Sequence, residues 1–213
     1  MTSSELYERT SDAILADLPA CTIGFKDESL FHGALKRLIF WNDRYMNYAT
    51  TIYPRVWFSS QSYLTRNWPW KLLQHEWVHL KDQATFFGLL PWLPAGLNNL
   101  LFSVAYLFPQ VLALLSVLGI LGLWLSPWFF LFFACVVFLA PLPAPFRMWA
   151  ELRAYRRSIE LAGGDLLENA EKRSKSFTGY AYYWMWPFKA DIVRRLIESS
   201  PYKEEMDKVT ESS

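Results

Sequence analysis

Two of the three histidines in this chain lie four positions apart, with a glutamate beside the first, in the stretch LLQHEWVHLKDQ. On a helix, residues four apart share a face, so His75 and His79 can direct two imidazole nitrogens at one ion. A bound Zn²⁺ acidifies its water, and Glu76 is placed to take the proton. The pattern H-E-x-x-H therefore predicts a zinc site with a general base. The alternative for this pair is an ordinary helix with histidines on its surface. The isolated His32 is interpreted as a surface or core residue and not as a ligand.

A catalytic zinc ion takes a third protein ligand and keeps one position open. The two cysteines are poor candidates, because Cys135 lies in an apolar run and Cys21 in an unpatterned segment. A carboxylate is therefore expected. Glu151, in WAELRAYRRS, is favoured because the small Ala154, one turn later, allows a close approach of the two helices; the alternative for it is an exposed helix carboxylate. Two later glutamates are rivals with poorer surroundings, Glu160 and Glu168.

A long apolar tract separates the two parts of this site. Residues 83–146 contain no Asp, Glu, Lys, Arg or His. A membrane-spanning helix needs about 20 largely apolar residues, so the tract has room for two spans, 97–125 and 127–146. Ser126-Pro127 is the expected hairpin tip, and Pro109 is a kink or a helix start. Tryptophans near the span ends favour a membrane interface: Trp92, Trp124, Trp128 and Trp149. A buried hairpin of a soluble protein and an oligomer core are the alternatives.

Composition agrees with a lipid environment, since hydrophobic residues make up 53% and charged residues 19% of the chain. A net charge of +1 gives no reason to expect a nucleic-acid partner. Two distant cysteines imply no disulfide framework, which allows a reducing compartment. The segment 1–18 carries acidic residues and has no apolar core, so no secretory signal is expected there.

The local patterns predict a mainly helical chain with a small β element. One or two strands are expected around Pro54, and a charged stretch at 166–176 is expected to be solvated. The segment 179–188 is strongly aromatic. Helices are predicted over Glu5–Leu18, over Leu30–Asp43, over Asn67–Phe87 with a start near Pro69, over Arg147–Ala162 with an end at Gly163-Gly164, and around Ile192–Ile197.

The predicted metal site and the apolar tract at 83–146 constrain each other. If side chains from both sides of the tract bind one ion, the chain must cross the membrane an even number of times, and two spans satisfy this condition. The chain then divides into an N-terminal half of the site domain at 1–82, a membrane hairpin at 83–146 and a C-terminal half at 147–213.

The order H-E-x-x-H, membrane hairpin, E-x-x-A resembles the integral-membrane gluzincin peptidases, which include the bacterial heat-shock protease HtpX and the CAAX prenyl endopeptidases. The resemblance covers Trp57 to Glu160, about half of the chain. It implies a mainly α (α+β) zincin-like metalloprotease domain with a small β element and an inserted transmembrane hairpin. It further implies that His75, His79 and Glu151 bind Zn²⁺ and that Glu76 is the base.

The glutamate motif of that family usually reads E-x-x-A-D, whereas this chain has Tyr155 at the aspartate position. Asp82 is therefore a candidate for orienting a ligand histidine. An oxyanion formed during peptide hydrolysis needs one more donor, and Tyr155, Tyr182 and Tyr183 are candidates, each with packing or interface anchoring as the alternative. The strand near Arg55–Phe58 is a candidate for pairing with an extended substrate.

The function that we expect is a zinc-dependent endopeptidase that acts on protein or peptide substrates and is anchored in a lipid bilayer. Three histidines are too few for di-iron hydroxylases, and charges around the motif argue against a site inside a span. A noncatalytic membrane or virion protein that retains a zincin-like site, and a chaperone-like membrane factor without metal, are the alternatives. A homo-oligomer is compatible with either class. The basic flanks predict a catalytic side that faces the cytoplasm: Lys71, Lys81, Arg147, Arg153, Arg156 and Arg157.

Overall fold

The structure is a computed structural model that describes residues 1–38, 45–65, 69–108, 110–139, 142–179 and 185–211. It is mainly helical with one small sheet, which confirms the mainly α class. The helices and strands are α1 (Ser3–Asp17), β1 (Thr22–Phe25), α2 (Leu30–Leu38), β2 (Thr50–Ile52), β3 (Arg55–Phe58), α3 (Pro69–Thr85), α4 (Ala95–Tyr106), α5 (Pro145–Ala162), α6 (Leu166–Thr178), α7 (Lys189–Leu196) and α8 (Lys203–Glu211). Short 3-10 helices occur at Tyr45–Asn47 and Gln61–Thr65.

The sheet has the order β1-β3-β2, with β3 parallel to β1 and antiparallel to β2. A cis peptide bond at Tyr53-Pro54 lies in the turn between β2 and β3. One or two strands were predicted around Pro54, and two are present, β2 and β3, whereas the four-residue β1 was not predicted. Because β3 is paired on both sides, the prediction that Arg55–Phe58 pairs with a substrate is wrong. The edge strands are β1 and β2.

The central helix α3 begins at Pro69, as predicted, and every residue from Leu73 to Ala84 is buried. Proline suits the first helical turn because its missing N–H would have no partner there. Helix α5 packs against α3 and ends before Gly163 and Gly164, as predicted. Their φ angles of 69° and 73° belong to the left-handed region, which glycine adopts without a steric penalty.

One buried asparagine fixes the connection between α3 and α4. The side-chain amide nitrogen of Asn98 donates to the carbonyls of Ala84, Leu90 and Leu93, at 2.8, 2.9 and 3.2 Å. Buried backbone carbonyls need hydrogen-bond partners, and the Asn98 amide supplies one to each of these three. The amide therefore holds the start of α4 against the end of α3.

A hairpin of two apolar 3-10 helices, Gln110–Leu123 and Pro127–Leu139, follows α4. The helices touch at glycines: a Cβ atom at Gly119 would lie 2.8 Å from the Phe133 ring, and one at Gly122 would lie 2.7 Å from the Phe130 ring. The close approach therefore requires residues without side chains. Many of the outward apolar side chains are exposed, among them Leu114, Val117, Leu123, Leu131 and Val137.

Among the described residues, no single helix is both long and apolar enough to cross a bilayer. Together, Ala95–Tyr106 and Val111–Leu123 have the required length and composition, but they are bent by 82°. The helix predicted over 97–125 is thus divided, and Pro109 lies outside the described residues. The predicted span 127–146 contains the shorter helix Pro127–Leu139 and the start of α5.

The C-terminal part contains more helix than the sequence predicted. The stretch 166–176, expected to be solvated, belongs to α6, whose N-cap Asp165 accepts hydrogen bonds from the backbone N–H groups of Leu167 and Glu168, at 2.7 and 3.2 Å. Helix α7 lies where the final helix was predicted, and α8 was not predicted. Both α6 and α8 carry many charges, so few apolar residues mark their buried faces.

Candidate metal centre

The structure brings together His75 and His79 of α3 and Glu151 of α5. One potential ligand atom from each of the three residues lies within 4.8 Å of the other two. The Nε2 atom of His79 is 3.8 Å from Oε2 of Glu151, and all three residues are buried. Residues from opposite ends of the apolar tract therefore meet at one point, in the set that the sequence predicted.

The donor set fits zinc. Two imidazoles and one carboxylate are a common ligand set for catalytic zinc, and in tetrahedral geometry ligand atoms about 2.1 Å from the ion lie about 3.4 Å from one another. The distance of 3.8 Å between His79 and Glu151 is close to this value. The three residues therefore fit the ligand set of a catalytic zinc ion, which leaves its fourth position to water or substrate.

The rival carboxylates have other surroundings. The Oε1 atom of Glu160 accepts a hydrogen bond from the Ser200 N–H at 2.6 Å, and its Oε2 atom is 3.3 Å from the guanidinium of Arg157. Glu168 lies in the exposed first turn of α6. Neither belongs to the cluster, so Glu151 is the carboxylate that the fold offers to an ion.

The first histidine is oriented by a residue that the sequence did not single out. The Nδ1 atom of His75 lies 2.8 Å from the Ser158 hydroxyl, which leaves Nε2 for an ion. Burial and the nearby His79 hold the pKa of His75 well below its usual value, which favours the neutral ring, the form that binds metals. Ser158 follows Glu151 by seven positions on the same face of α5, and helical spacing was the available signal.

Tyr155 forms a wall beside this histidine. Its ring meets that of His75 edge to face, with the centroids 4.9 Å apart, and it also packs against Phe177 at 5.4 Å. The side chain is 9% exposed. These ring contacts place Tyr155 against the ligand histidine His75.

Asp82 is engaged elsewhere. Its fully buried carboxylate accepts hydrogen bonds from Nε of Arg153, at 2.9 and 3.1 Å, and from the Tyr202 hydroxyl at 3.1 Å. Within the described parts of the chain, no hydrogen bond joins Asp82 to a histidine. The prediction that Asp82 orients a ligand histidine therefore gains no support, and Ser158 is the residue found in that position.

The predicted base, Glu76, lies on α3 between the two histidines. Its Oε2 atom accepts a hydrogen bond of 2.6 Å from the Thr51 hydroxyl on β2. Burial raises the pKa of Glu76, although His79 and the Thr51 hydrogen bond act in the opposite direction. A higher pKa makes a carboxylate a better proton acceptor. The second carboxylate oxygen, Oε1, is free of the bond to Thr51.

A buried lysine and the third histidine lie behind the base. Lys26 is 1% exposed, and its amine donates a hydrogen bond of 2.9 Å to the Tyr45 carbonyl. Burial lowers the pKa of Lys26 to about 8, against an opposing effect of the Glu76 charge. His32 is fully buried, with Nδ1 2.5 Å from the Tyr45 hydroxyl, and it is not in the ligand cluster. It is therefore a core residue.

A tyrosine of α4 reaches the candidate ligand. The hydroxyl of Tyr106 donates a hydrogen bond of 2.6 Å to Oε1 of Glu151. Tyr106 was not predicted as a site residue because it falls within the predicted span 97–125, where tyrosine is commonly an interface residue. The other candidate donors, Tyr182 and Tyr183, lie outside the described residues.

The cluster opens into a cavity of about 410 Å³, within the usual range for ligand pockets. The edge strand β2 forms one side, α3 forms the floor and α4 forms the opposite side. The lining residues are Tyr48, Ala49, Thr50, Thr51, Ile52, His75, Glu76, His79, Gln83, Phe102, Ser103, Tyr106, Leu107 and Glu151. The proposed ligands and base are therefore accessible to a small molecule or to a short peptide segment.

The opposite face of α3 is held by buried ion pairs. Arg157, 1% exposed, donates hydrogen bonds to the Gln74 side-chain carbonyl at 2.6 and 2.8 Å and to Asp207 of α8 at 2.8 Å. Lys81 pairs with Asp17 at 3.0 Å and with Glu205. These contacts join α3 to α1, α5 and α8 and so fix the helix that carries both histidines.

Comparison of the chain with protein-family models, with curated proteins and with solved structures finds no match. The chemistry of the centre therefore supplies the argument for function.

Proposed function

We propose that the protein is a zinc-dependent peptidase, an endopeptidase anchored to a lipid bilayer by its apolar hairpin. One observation carries the proposal: His75, His79 and Glu151 offer ligand atoms within 4.8 Å of one another, and Glu76 stands beside them in a cavity bordered by a strand edge. A purely structural zinc site has four protein ligands and no use for a base. Three ligands with an adjacent carboxylate are the set that hydrolysis requires.

His75, His79 and Glu151 would hold the ion, which supplies Lewis acidity and lowers the pKa of water. The Thr51 hydroxyl holds Oε2 of Glu76, so Oε1 takes the proton from the attacking water. Glu76 then passes that proton to the leaving amine nitrogen. The Ser158 hydroxyl keeps the ring of His75 in one orientation throughout.

Tyr106 is the oxyanion donor in this proposal. Its hydroxyl already reaches Oε1 of Glu151 and faces the cavity. When Glu151 binds an ion, this hydroxyl can turn to the oxygen of the peptide carbonyl that gains negative charge. Tyr155 is less suitable because its ring is packed between His75 and Phe177.

The edge of β2 is the proposed binding site for an extended substrate. Thr50, Thr51 and Ile52 line the cavity, and Thr51 contacts Glu76 directly. An exposed sheet edge binds an extended peptide through main-chain hydrogen bonds. A peptide paired with β2 would place its carbonyl carbon next to the base.

Lipid is the proposed environment of the hairpin. Its outward side chains are apolar and exposed, and such a large apolar surface is unfavourable in water. Basic residues flank the apolar tract in the sequence, which supports a catalytic side that faces the cytoplasm.

Metal content and proteolysis, measured on the full chain purified in mild detergent, test the proposal. We expect one zinc ion per chain in the wild type and in Glu76→Gln, and a loss of zinc in His79→Ala. Cleavage of an unfolded protein substrate should fall by about 10²- to 10⁴-fold in Glu76→Gln. Glu168→Gln, which changes an exposed glutamate outside the site, is the matched control and should cleave like the wild type.

Two results would count against this function. Zinc bound by the wild type and by Glu76→Gln, with no cleavage by either, would favour a noncatalytic membrane or virion protein with a zincin-like site. Absence of stoichiometric metal from the wild type would remove the zinc site itself and leave a metal-free membrane factor.

A further inference from the structure

The outer edge of β2 is open at one end and closed at the other. In an antiparallel strand, successive residues direct their N–H and C=O groups alternately toward the neighbouring strand and away from it. The Thr51 carbonyl and the Tyr53 N–H bind side chains outside the sheet, so both residues direct their backbone groups away from β3. These groups are the ones that an added strand would need.

Two side-chain amides already occupy the closed end. The amide of Gln83 on α3 accepts a hydrogen bond from the Tyr53 N–H at 2.5 Å and donates one to the Thr51 carbonyl at 3.2 Å. The amide of Asn99 on α4 donates to the Tyr53 carbonyl at 3.2 Å. Helices α3 and α4 therefore both contribute to the closure, and Gln83 is only 5% exposed.

The open end lies on the other side of Thr51. Ala49 and Tyr48, which precede β2, line the cavity there, and no side-chain amide is bonded to their backbone among the described residues. Thr51, at the boundary, is also the residue whose hydroxyl contacts Glu76. The reacting peptide bond would therefore lie near the closed end of the edge, with the cavity extending past Ala49 toward Tyr48.

We propose that Gln83 and Asn99 end the substrate cleft at Thr51, so that the enzyme cuts peptides close to their amino termini. This inference depends on the proposed peptidase function. Antiparallel pairing is the more stable arrangement for an added strand. An antiparallel peptide would place the residues after the scissile bond along Ala49 and Tyr48, and the residues before it at the two amides. Only a short amino-terminal segment fits there.

The positions of the first cuts test this proposal. Wild-type protein with zinc is incubated with an unstructured peptide and with two longer versions, one extended at the amino end and one at the carboxyl end, and early products are identified by mass spectrometry. We expect the first cuts to fall within the first few bonds of each peptide. The cut position should move with the amino terminus and should not respond to the carboxyl extension.

Removal of the two amides should open the cleft. The double variant Gln83→Met/Asn99→Leu replaces both amides by apolar groups of similar shape and frees three edge groups: the Tyr53 N–H and the carbonyls of Thr51 and Tyr53. Internal cuts should then increase about tenfold relative to terminal cuts. Gln61→Ala changes an exposed glutamine away from the cavity and should leave the ratio unchanged. A merely structural role for Gln83 would alter the melting temperature but not this ratio.

The outcomes separate the two proposals. First cuts spread over internal bonds in the wild type, or clustered near the carboxyl end, would overturn the cleft closure and leave the peptidase function intact. If the double variant has the same ratio of internal to terminal cuts as the wild type, the cleft closure is also overturned. If the double variant does not fold, the wild-type cut positions still decide. Zinc-loaded wild type that cuts none of the peptides would contradict the peptidase function, and this inference with it.

Discussion

Helices α3 and α5 differ from the apolar hairpin at 110–139 in the side chains that they bury and expose. Helices α3 and α5 bury charged and polar side chains against one another, including Asp82 at 0% and Arg157 at 1% exposure. The hairpin has no Asp, Glu, Lys, Arg or His, and much of its apolar surface is exposed.

Different interactions determine the structures of these two regions. In α3 and α5, every buried charge has a directed partner, and loss of one partner leaves the other unpaired in a medium that stabilises charge poorly. In the hairpin, shape complementarity at two glycines holds the helices together. Whether the apolar outer face is favourable depends on the medium that surrounds it. Mutations should therefore be costly in the first region and tolerated in most of the second.

Loss of the buried Asp82 should have the largest effect. Asp82→Ala leaves Arg153 without its main partner, and removal of one member of a buried pair costs about 3–5 kcal/mol in the free energy of unfolding. Denaturant titration in mild detergent measures this change. The control is Glu198→Ala, since the Glu198 side chain is 64% exposed in its pair with Arg156 and should contribute less than about 1 kcal/mol. Equal effects of the two variants would remove the distinction between buried and exposed pairs.

The buried Lys26 should make stability depend on pH. Its pKa of about 8 in the folded state is below the value of about 10.4 in an unfolded chain. The unfolded chain binds more protons between these values, so the free energy of unfolding rises with pH from about 8 to 10.5, by at most about 3 kcal/mol.

Lys26→Met should be more stable than the wild type below pH 8, and the difference should disappear by about pH 10.5. Denaturant titrations of both proteins across this range measure the difference. A difference that is constant with pH would show that Lys26 is charged in the folded protein without penalty.

Ser158 should affect zinc affinity more than stability. Ser158→Ala removes the hydrogen bond to Nδ1 of His75, and loss of such an orienting contact weakens metal affinity by about 10- to 100-fold. Competition with a zinc chelator measures the dissociation constant. Ser174→Ala, another buried serine on a helix, should leave zinc affinity unchanged.

Within the hairpin, the glycine contacts should be the sensitive positions. Gly122→Ala adds a Cβ atom 2.7 Å from the Phe130 ring, and such overpacking should cost about 1 kcal/mol. Gly96→Ala places its Cβ where no heavy atom lies within 4 Å, so the same substitution there should be neutral or stabilising by up to about 1 kcal/mol. Thermal unfolding of both variants compares the two sites.

The site was more predictable than its surroundings. The spacing of His75 and His79 places both on one helix face, and Glu151 follows from the need for a third ligand, so these residues could be named from the sequence. Ser158 and Tyr106 act through single hydrogen bonds, and such contacts depend on how helices pack, which residue patterns do not specify. Asp82 was assigned to a histidine, but the packing of α5 gives it to Arg153.

Prediction of the fold from the sequence was limited in the same way. Helix starts and ends at Pro69 and Gly163 follow from local backbone chemistry, and they were predicted. Strand order depends on contacts between distant segments: β1 joins β3 on the side opposite to β2, and this makes β3 central. A sequence in which one short strand is not recognised cannot reveal which of the others has a free edge.

The three hydrogen bonds of Asn98 have a consequence for the membrane-bound protein that we propose. They tie α4 to α3, so the cavity wall that carries Tyr106 is held to the helix that carries both histidines. The 82° bend comes after that wall. In the proposed bilayer, a change in thickness or in insertion depth would tilt the hairpin about this bend, while the cavity keeps its dimensions.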